Sequence, residues 1–279
     1  MNSCFACPVC QMPLSRGEKT YTCQGGHSFD IAKGGYVNLL RQQNTHGHGD
    51  NREMILARHL FLERGWYQPL LDTLCQTLSP VFVSGGVLLD AGCGEGWYTE
   101  GICRHLMGEG KTVKAYGIDI SKEALKLMTK RPLSKAGHIE LAVGSVYKMP
   151  FLPDSADVVL NLFAPLVPDV YHSILHKDGY FIMAVPDERH LWELKEVLYD
   201  TPYLNRVENP EIKGFRLVSE QVVVANMPFT SGEDLLHLFS MTPYAFRTSE
   251  TGKARLKALD ALTVTAAFRV FLYQRIEKQ

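Results

Sequence analysis

The rhythm of apolar and polar positions changes once along this chain, at Gly85. In residues 1–40 the apolar runs are short and broken by Gly, Pro and Cys. There "QMPLSRGEKTYT" reads as a polar hairpin with Arg16-Gly17-Glu18 at its tip and Tyr21 returning toward the cysteines. "FDIAKGGYVNLL" then finishes the small unit. "RQQNTHGHGDNR", with His46 and His48, reads as a polar loop. It leads into the helical run "MILARHLFLERG", with Asp50 placed as N-cap and Glu53 three residues on.

From Gly85, apolar strands alternate with helices. "VLLDAG" is a buried strand, "CGEGWYTEGICRHL" turns through glycines into a helix, and "VKAYGIDIS" is a strand ending in an acid. The helix "KEALKLMTKR" and the strands "IELAVGS" and "ADVVLNLFAP" follow. "VPDVYHSILHKDG" predicts a helix stopped by glycine, and "YFIMAVP" a further strand. "QVVVANMPF", the helix "GEDLLHLFSM" and "LTVTAAFRVFLYQR" add two edge strands. Such alternation predicts an α/β fold, a parallel sheet with helices on both faces. The organisation expected is 1–40 as a small domain, 41–84 as a linker loop and helices, and 85–279 as the large domain.

At 279 residues there is ample chain for such a core. A formal charge of −1 excludes a protein basic all over, but a local basic face would still suffice for nucleic acid. No apolar run approaches the roughly 20 residues that span a bilayer. "MNSCFACPVC" lacks the pattern of a signal peptide, so a cytoplasmic location and no membrane partner are expected.

Seven cysteines in such a chain do not read as a disulfide framework. Cys75, Cys93 and Cys103 are scattered and read as small buried thiols. Cys7-Pro-Val-Cys10 has the spacing of a zinc knuckle, and Cys23-Gln-Gly-Gly-His27 supplies a second arm. A redox pair would adjoin a βαβ pattern, and none lies beside it. Four ligands, Cys7, Cys10, Cys23 and His27, imply a closed structural zinc that staples a segment too small to fold unaided. Cys4 fits neither arm.

The ligand site of a parallel sheet lies at the carboxyl ends of its strands. Here that is the loop Asp90-Ala91-Gly92-Cys93-Gly94-Glu95-Gly96. Gly92, Gly94 and Gly96 admit a close ligand, while Asp90 before them disfavours a pyrophosphate and favours a cationic group. Asp119, ending the second strand, is placed to accept from ribose hydroxyls. A purine nucleoside with a positive centre fits both acids. The plainer alternative is a generic turn of a nicotinamide-nucleotide domain.

"LLDAGCGEGWYT" followed by "GIDIS" resembles the class I S-adenosylmethionine-dependent methyltransferases, a Rossmann-like seven-stranded fold. With the front end, "FDIAKGGYVNLL", "GWYQPL", "NLFAP" and "RHLWELK", the whole chain resembles the bacterial 23S ribosomal RNA guanine-N1-methyltransferases of the RlmA type. These motifs show no departure from the family pattern. The resemblance implies an enzyme that methylates a guanine in one hairpin loop of 23S rRNA domain II. In one branch this confers resistance to tylosin-type macrolides. It implies zinc at the four front-end ligands in a zinc-ribbon-like domain. It also implies cofactor contacts at Tyr67, at Gly94 and Glu95, and at His190, and is compatible with a homodimer. The alternatives are a small-molecule methyltransferase and a non-catalytic zinc-ribbon RNA-binding protein; the intact Asp90 loop and Asp119 weigh against the latter.

For such chemistry "NLFAP" places Asn161 for a hydrogen bond to cofactor or base edge and Phe163 for stacking. Asp187, Glu188 and His190 are the nearest candidates to accept the N1 proton. Arg16, Lys19, Lys33, Arg41, Arg52, Arg58 and Arg64 are candidates for RNA phosphates. The front end is expected to act as a separable knob. Replacing Cys10 or His27 by alanine would then cost RNA methylation and spare cofactor binding.

Overall fold

The computed structural model describes residues 2–41, 50–207 and 211–277, so His46 and His48 lie outside the described residues. Strands β1 (Asn2–Ala6), β2 (Pro13–Arg16), β3 (Thr20–Thr22) and β4 (Ser28–Asp30) form a four-stranded antiparallel sheet in chain order. The hairpin expected around Gly17 joins β2 to β3. Next come β5 (Tyr36–Asn38), α1 (Arg52–Glu63) and α2 (Gln68–Leu78). The alternating region runs β6 (Val87–Ala91), α3 (Trp97–Gly108), β7 (Lys114–Asp119), α4 (Lys122–Met128), α5 (Pro132–Lys135), β8 (Ile139–Val143) and β9 (Ala156–Leu162). It continues with α6 (Pro168–Ile174), β10 (Leu175–Pro186) and α7 (Trp192–Leu198). Strand β11 (Phe215–Phe229), α8 (Gly232–Ser240), α9 (Tyr244–Arg247), α10 (Glu250–Lys257) and β12 (Leu262–Arg275) close the chain.

The large sheet has the order β11-β12-β10-β9-β6-β7-β8-β5. Strand β12 runs antiparallel to both β10 and β11, and the other described pairs of this sheet are parallel. The order reverses between β6 and β9, which puts the ligand crevice at their carboxyl ends.

Eight strands replace the seven expected, because Tyr36–Asn38 does not finish the small unit. It pairs in parallel with β8 and covers what would be an open sheet edge. Helix α6 also stops earlier than expected. The chain turns extended at Leu175, and Gly179 is buried where a Cβ would press on carbonyls of Asp157 and His176. At α1 the cap is Asn51, whose side chain accepts from Met54 N at 2.9 Å, rather than Asp50. That frees Asp50 for the Arg58 guanidinium.

Two apolar layers flank the large sheet. One is filled from α1, α2, α3 and the C-terminal helices, with Leu70, Leu74, Ile102 and Leu238 fully buried. The other contains the small domain's own Phe5, Leu14 and Tyr21 together with Tyr116, Phe151 and Phe181. The Phe5 ring lies 5.2 Å from Tyr116, 5.0 Å from Phe151 and 5.7 Å from Tyr21. Backbone bonds reinforce the joint, Ala6 N to Pro150 O at 2.8 Å and Leu152 N to Cys4 O at 3.0 Å. The Tyr21 hydroxyl is taken up by the large sheet. A buried phenol needs an acceptor, and the Glu140 carboxylate on β8 supplies it at 2.5 Å.

Candidate cofactor and zinc sites

The β1–β2 turn and the loop between β3 and β4 bring Cys7, Cys10, Cys23 and His27 together, their ligand atoms all within 4.8 Å of one another. Cys7 Sγ and Cys23 Sγ lie 3.6 and 3.4 Å from His27 Nδ1, and Cys10 Sγ lies 3.6 Å from Cys23 Sγ. These are edge lengths of a tetrahedron around one ion with about 2.3 Å metal–sulfur bonds. Gly25 closes the cradle, since a Cβ there would sit 3.2 Å from Cys10 Sγ and 3.4 Å from His27 Nδ1. Three thiols and an imidazole with no open position fit a structural zinc. Cys4 stays outside the set.

At the crevice, Gly92, Gly94 and Gly96 all have positive φ. Gly92 is required on two counts: its φ is 88°, and a Cβ would fall 2.8 Å from that of Ala164 beyond β9. Asp90, 2% exposed, accepts from Thr99 Oγ1 at 2.5 Å through one oxygen, while its other oxygen has no partner. Burial foremost, with Asp119 nearby, pushes its carboxyl up to about 7 despite the Thr99 bond. Asp119 accepts from Gly94 N at 2.9 Å and Ser121 N at 2.7 Å, and burial raises its carboxyl in spite of both. A buried acid with an orphan oxygen, beside a second acid at the next strand's end, fits a ligand that brings positive charge and hydroxyl donors.

Glu95, also buried, bonds His59 Nδ1 at 3.0 Å and the Arg131 guanidinium, and its second oxygen has no partner. His59, Glu63 and Glu95 have metal-like spacing, but Arg131 bridges the two carboxylates and supplies the cation there. Against desolvation, the His59 and Arg131 contacts hold Glu95 below its usual range.

Tyr67 and His190 meet around a residue that sequence reasoning missed, Phe268 on β12. Its ring lies 4.8 Å from Tyr67, 4.6 Å from His190 and 5.6 Å from Phe163. Nothing local in "LTVTAAFRVFLYQR" marks it. Phe163, at φ 64°, keeps 44% of its surface open while its ring lies 6.3 Å from Tyr98. Asn161 is buried, and its amide nitrogen bonds Tyr171 Oη at 2.6 Å and Pro165 O at 3.1 Å, which fixes the turn that carries Phe163.

His190 is buried with Nδ1 2.9 Å from Ala267 O, and burial pushes its imidazole down to about 3. Asp187 accepts from Arg269 Nε at 2.7 Å, a bond that outweighs desolvation and keeps its carboxyl below the usual range. Glu188 is exposed. Two residues unforeseen in the sequence lock this turn. The buried Lys195 donates to Asn205 Oδ1 at 2.7 Å, and Asn205 Nδ2 donates to Asp187 O at 2.9 Å.

A sheet reversing at a glycine loop between strand-end acids, joined to a Cys3His cradle, defines a class I S-adenosylmethionine-dependent methyltransferase with a structural zinc ribbon. A family profile described as "RlmA, N-terminal", a zinc ribbon, matches residues 5–47, and one described as "Methyltransferase domain" matches residues 88–177. The chain is 30% identical to "Putative 23S rRNA (guanine-N(1)-)-methyltransferase YxjB" of Bacillus subtilis (strain 168), covering 94% of each chain. It is 32% identical to a relative of like name from Micromonospora griseorubida over 97% of each. It is also 32% identical to the 23S rRNA (guanine(748)-N(1))-methyltransferase of Streptomyces fradiae, over 69% of this chain and 66% of that one. The chain belongs to the 23S rRNA (guanine-N1-)-methyltransferase family. Among the described residues, no helix is long and apolar enough to cross a membrane.

Proposed function

We propose that this enzyme methylates N1 of one unpaired guanine in a hairpin loop of 23S rRNA, in the cytoplasm, with the zinc ribbon helping to seat the RNA. The observation that carries the reading is whole-chain family membership combined with an exposed aromatic, Phe163, directly after the carboxyl end of β9, the strand next to β6 and its glycine loop. Guanine N1 is masked in a duplex, so the base has to come from a loop or be splayed out, usually onto an aromatic face.

S-adenosylmethionine supplies an already activated methyl group. Asp90, Asp119 and the glycine loop would hold it, together with Tyr67, Glu95 and His190. Phe163 would stack on the guanine, and the α1–α3 layer excludes water from the crevice. Within the turn after β10, His190 and Asp187 are already engaged by Ala267 and Arg269. This favours Glu188 as acceptor of the N1 proton. Arg16, Lys19, Lys33, Arg41, Arg52 and Arg64 are exposed on the ribbon and α1, where phosphates would meet them. A homodimer is compatible with this arrangement, and light scattering would decide it.

Mass mapping of rRNA from a deletion strain tests the reaction. One N1-methylguanine should vanish and return with the gene, whereas an unchanged map refutes the rRNA reading. Growth of the same pair on tylosin-type macrolides reads any effect on susceptibility. With an rRNA fragment as substrate, Phe163→Ala should cut kcat/KM by about 10- to 100-fold, the worth of one stacked base, at unchanged cofactor affinity. Glu188→Gln should lower kcat and leave KM for RNA in place. Normal turnover in either variant removes that residue from its role.

A further inference from the structure

Among the seven basic residues that read as phosphate contacts in the sequence, Arg58 is placed differently. On α1 it shares the face of Ile55 and Leu62, both buried, three residues after one and four before the other. That face turns inward, and Arg58 lines a pocket with Asp50, Ile55, Gly94, Glu95, Asp119, Ser121 and Ala124. Its guanidinium pairs with Asp50 and donates through Nη2 to Met241 O at 3.3 Å.

The electrostatics of the crevice pose a problem that Arg58 answers. Asp90, Glu95, Asp119 and Asp50 suit a ligand's sulfonium, ammonium and ribose hydroxyls. Glu95 is paired with Arg131 and Asp50 with Arg58, but the amino-acid end of S-adenosylmethionine also carries a carboxylate, which Asp90 and Asp119 would repel. Among the described residues lining the pocket, Arg58 alone is a cation. A guanidinium has five N–H donors in a fork that matches a carboxylate. The two bonds to Asp50 and Met241 orient that fork and leave donors to spare.

We propose that Arg58 binds the α-carboxylate of S-adenosylmethionine, held in place by Asp50 and the Met241 carbonyl. Helix α1 is then part of the cofactor site rather than only a linker. The inference rests on the cofactor reading and is independent of the RNA substrate.

The test compares two ligands by calorimetry without RNA. S-adenosylhomocysteine carries the carboxylate, whereas methylthioadenosine lacks the whole amino-acid end. Arg58→Ala should weaken S-adenosylhomocysteine by about 10- to 100-fold, the worth of a hydrogen bond to a charged group. Methylthioadenosine should bind the variant as it binds the wild type, which also shows that the pocket is folded. Arg58→Lys should recover part of the loss. Equal weakening of both ligands would make Arg58 a pocket wall, and unchanged S-adenosylhomocysteine affinity would remove it from the site; either result overturns the proposal. A wild type that binds neither ligand would overturn the cofactor reading along with it.

Discussion

Stripping the zinc with a chelator, or replacing Cys23 by serine, is expected to lower the melting temperature of the whole chain by about 10–20 °C and to abolish cofactor binding in the same transition. The reason is the shared core. Without its metal the ribbon has too little apolar surface to stay folded. Its collapse uncovers Phe5 and Tyr21 on one side and Tyr116 and Phe151 on the other. At about 1.5–3 kcal/mol for each large side chain exposed, the loss reaches about 5 kcal/mol or more. For a chain of this length each kcal/mol is worth about 2–4 °C. Tyr116 lies on the strand that ends in Asp119, so the damage runs directly into the cofactor crevice. Replacing a cysteine while S-adenosylmethionine still bound normally would instead establish the ribbon as an independent knob. The sequence alone favours that knob, and the structure argues against it.

Asp119→Ala should raise the dissociation constant for S-adenosylmethionine by about 100-fold or more and depress turnover to match. One carboxylate oxygen holds Gly94 N and the other holds Ser121 N, so a single side chain fixes both the glycine loop and the start of α4. Its removal deletes those two charge-assisted bonds along with the expected acceptor for the ribose. Asp119→Asn keeps one acceptor oxygen and should fall between wild type and the alanine variant. Calorimetric titration measures both, and an affinity left unchanged by the alanine variant would take Asp119 out of the cofactor site.

Much of this was legible in the residues. Cysteine and histidine at knuckle spacing can converge on one ion because the turns between them are local and short. Asp90, the glycines and Asp119 were legible for a similar reason: strand ends and βα turns carry their chemistry within a few positions. Phe268 was not legible, because it becomes the hub for Tyr67, His190 and Phe163 only when β12 inserts antiparallel beside β10. Lys195 and Asn205 read as ordinary polar residues until folding buries the lysine and turns the amide onto Asp187.

The sequence by itself determined the periodicities, the spacing of the cysteines and histidine that cluster at the front end, and the acids at the strand ends, all of which are short-range properties of the chain. The tertiary structure decided which surfaces those pieces share. It placed Tyr36–Asn38 at the edge of the large sheet, sent the Tyr21 hydroxyl to Glu140, and turned Arg58 from a surface cation into a wall of the pocket that Gly94 and Asp119 also line. Each of these outcomes satisfies a buried or unpaired polar group with a partner far away in the chain. Local patterning cannot specify such partners, because they are set by which elements pack together.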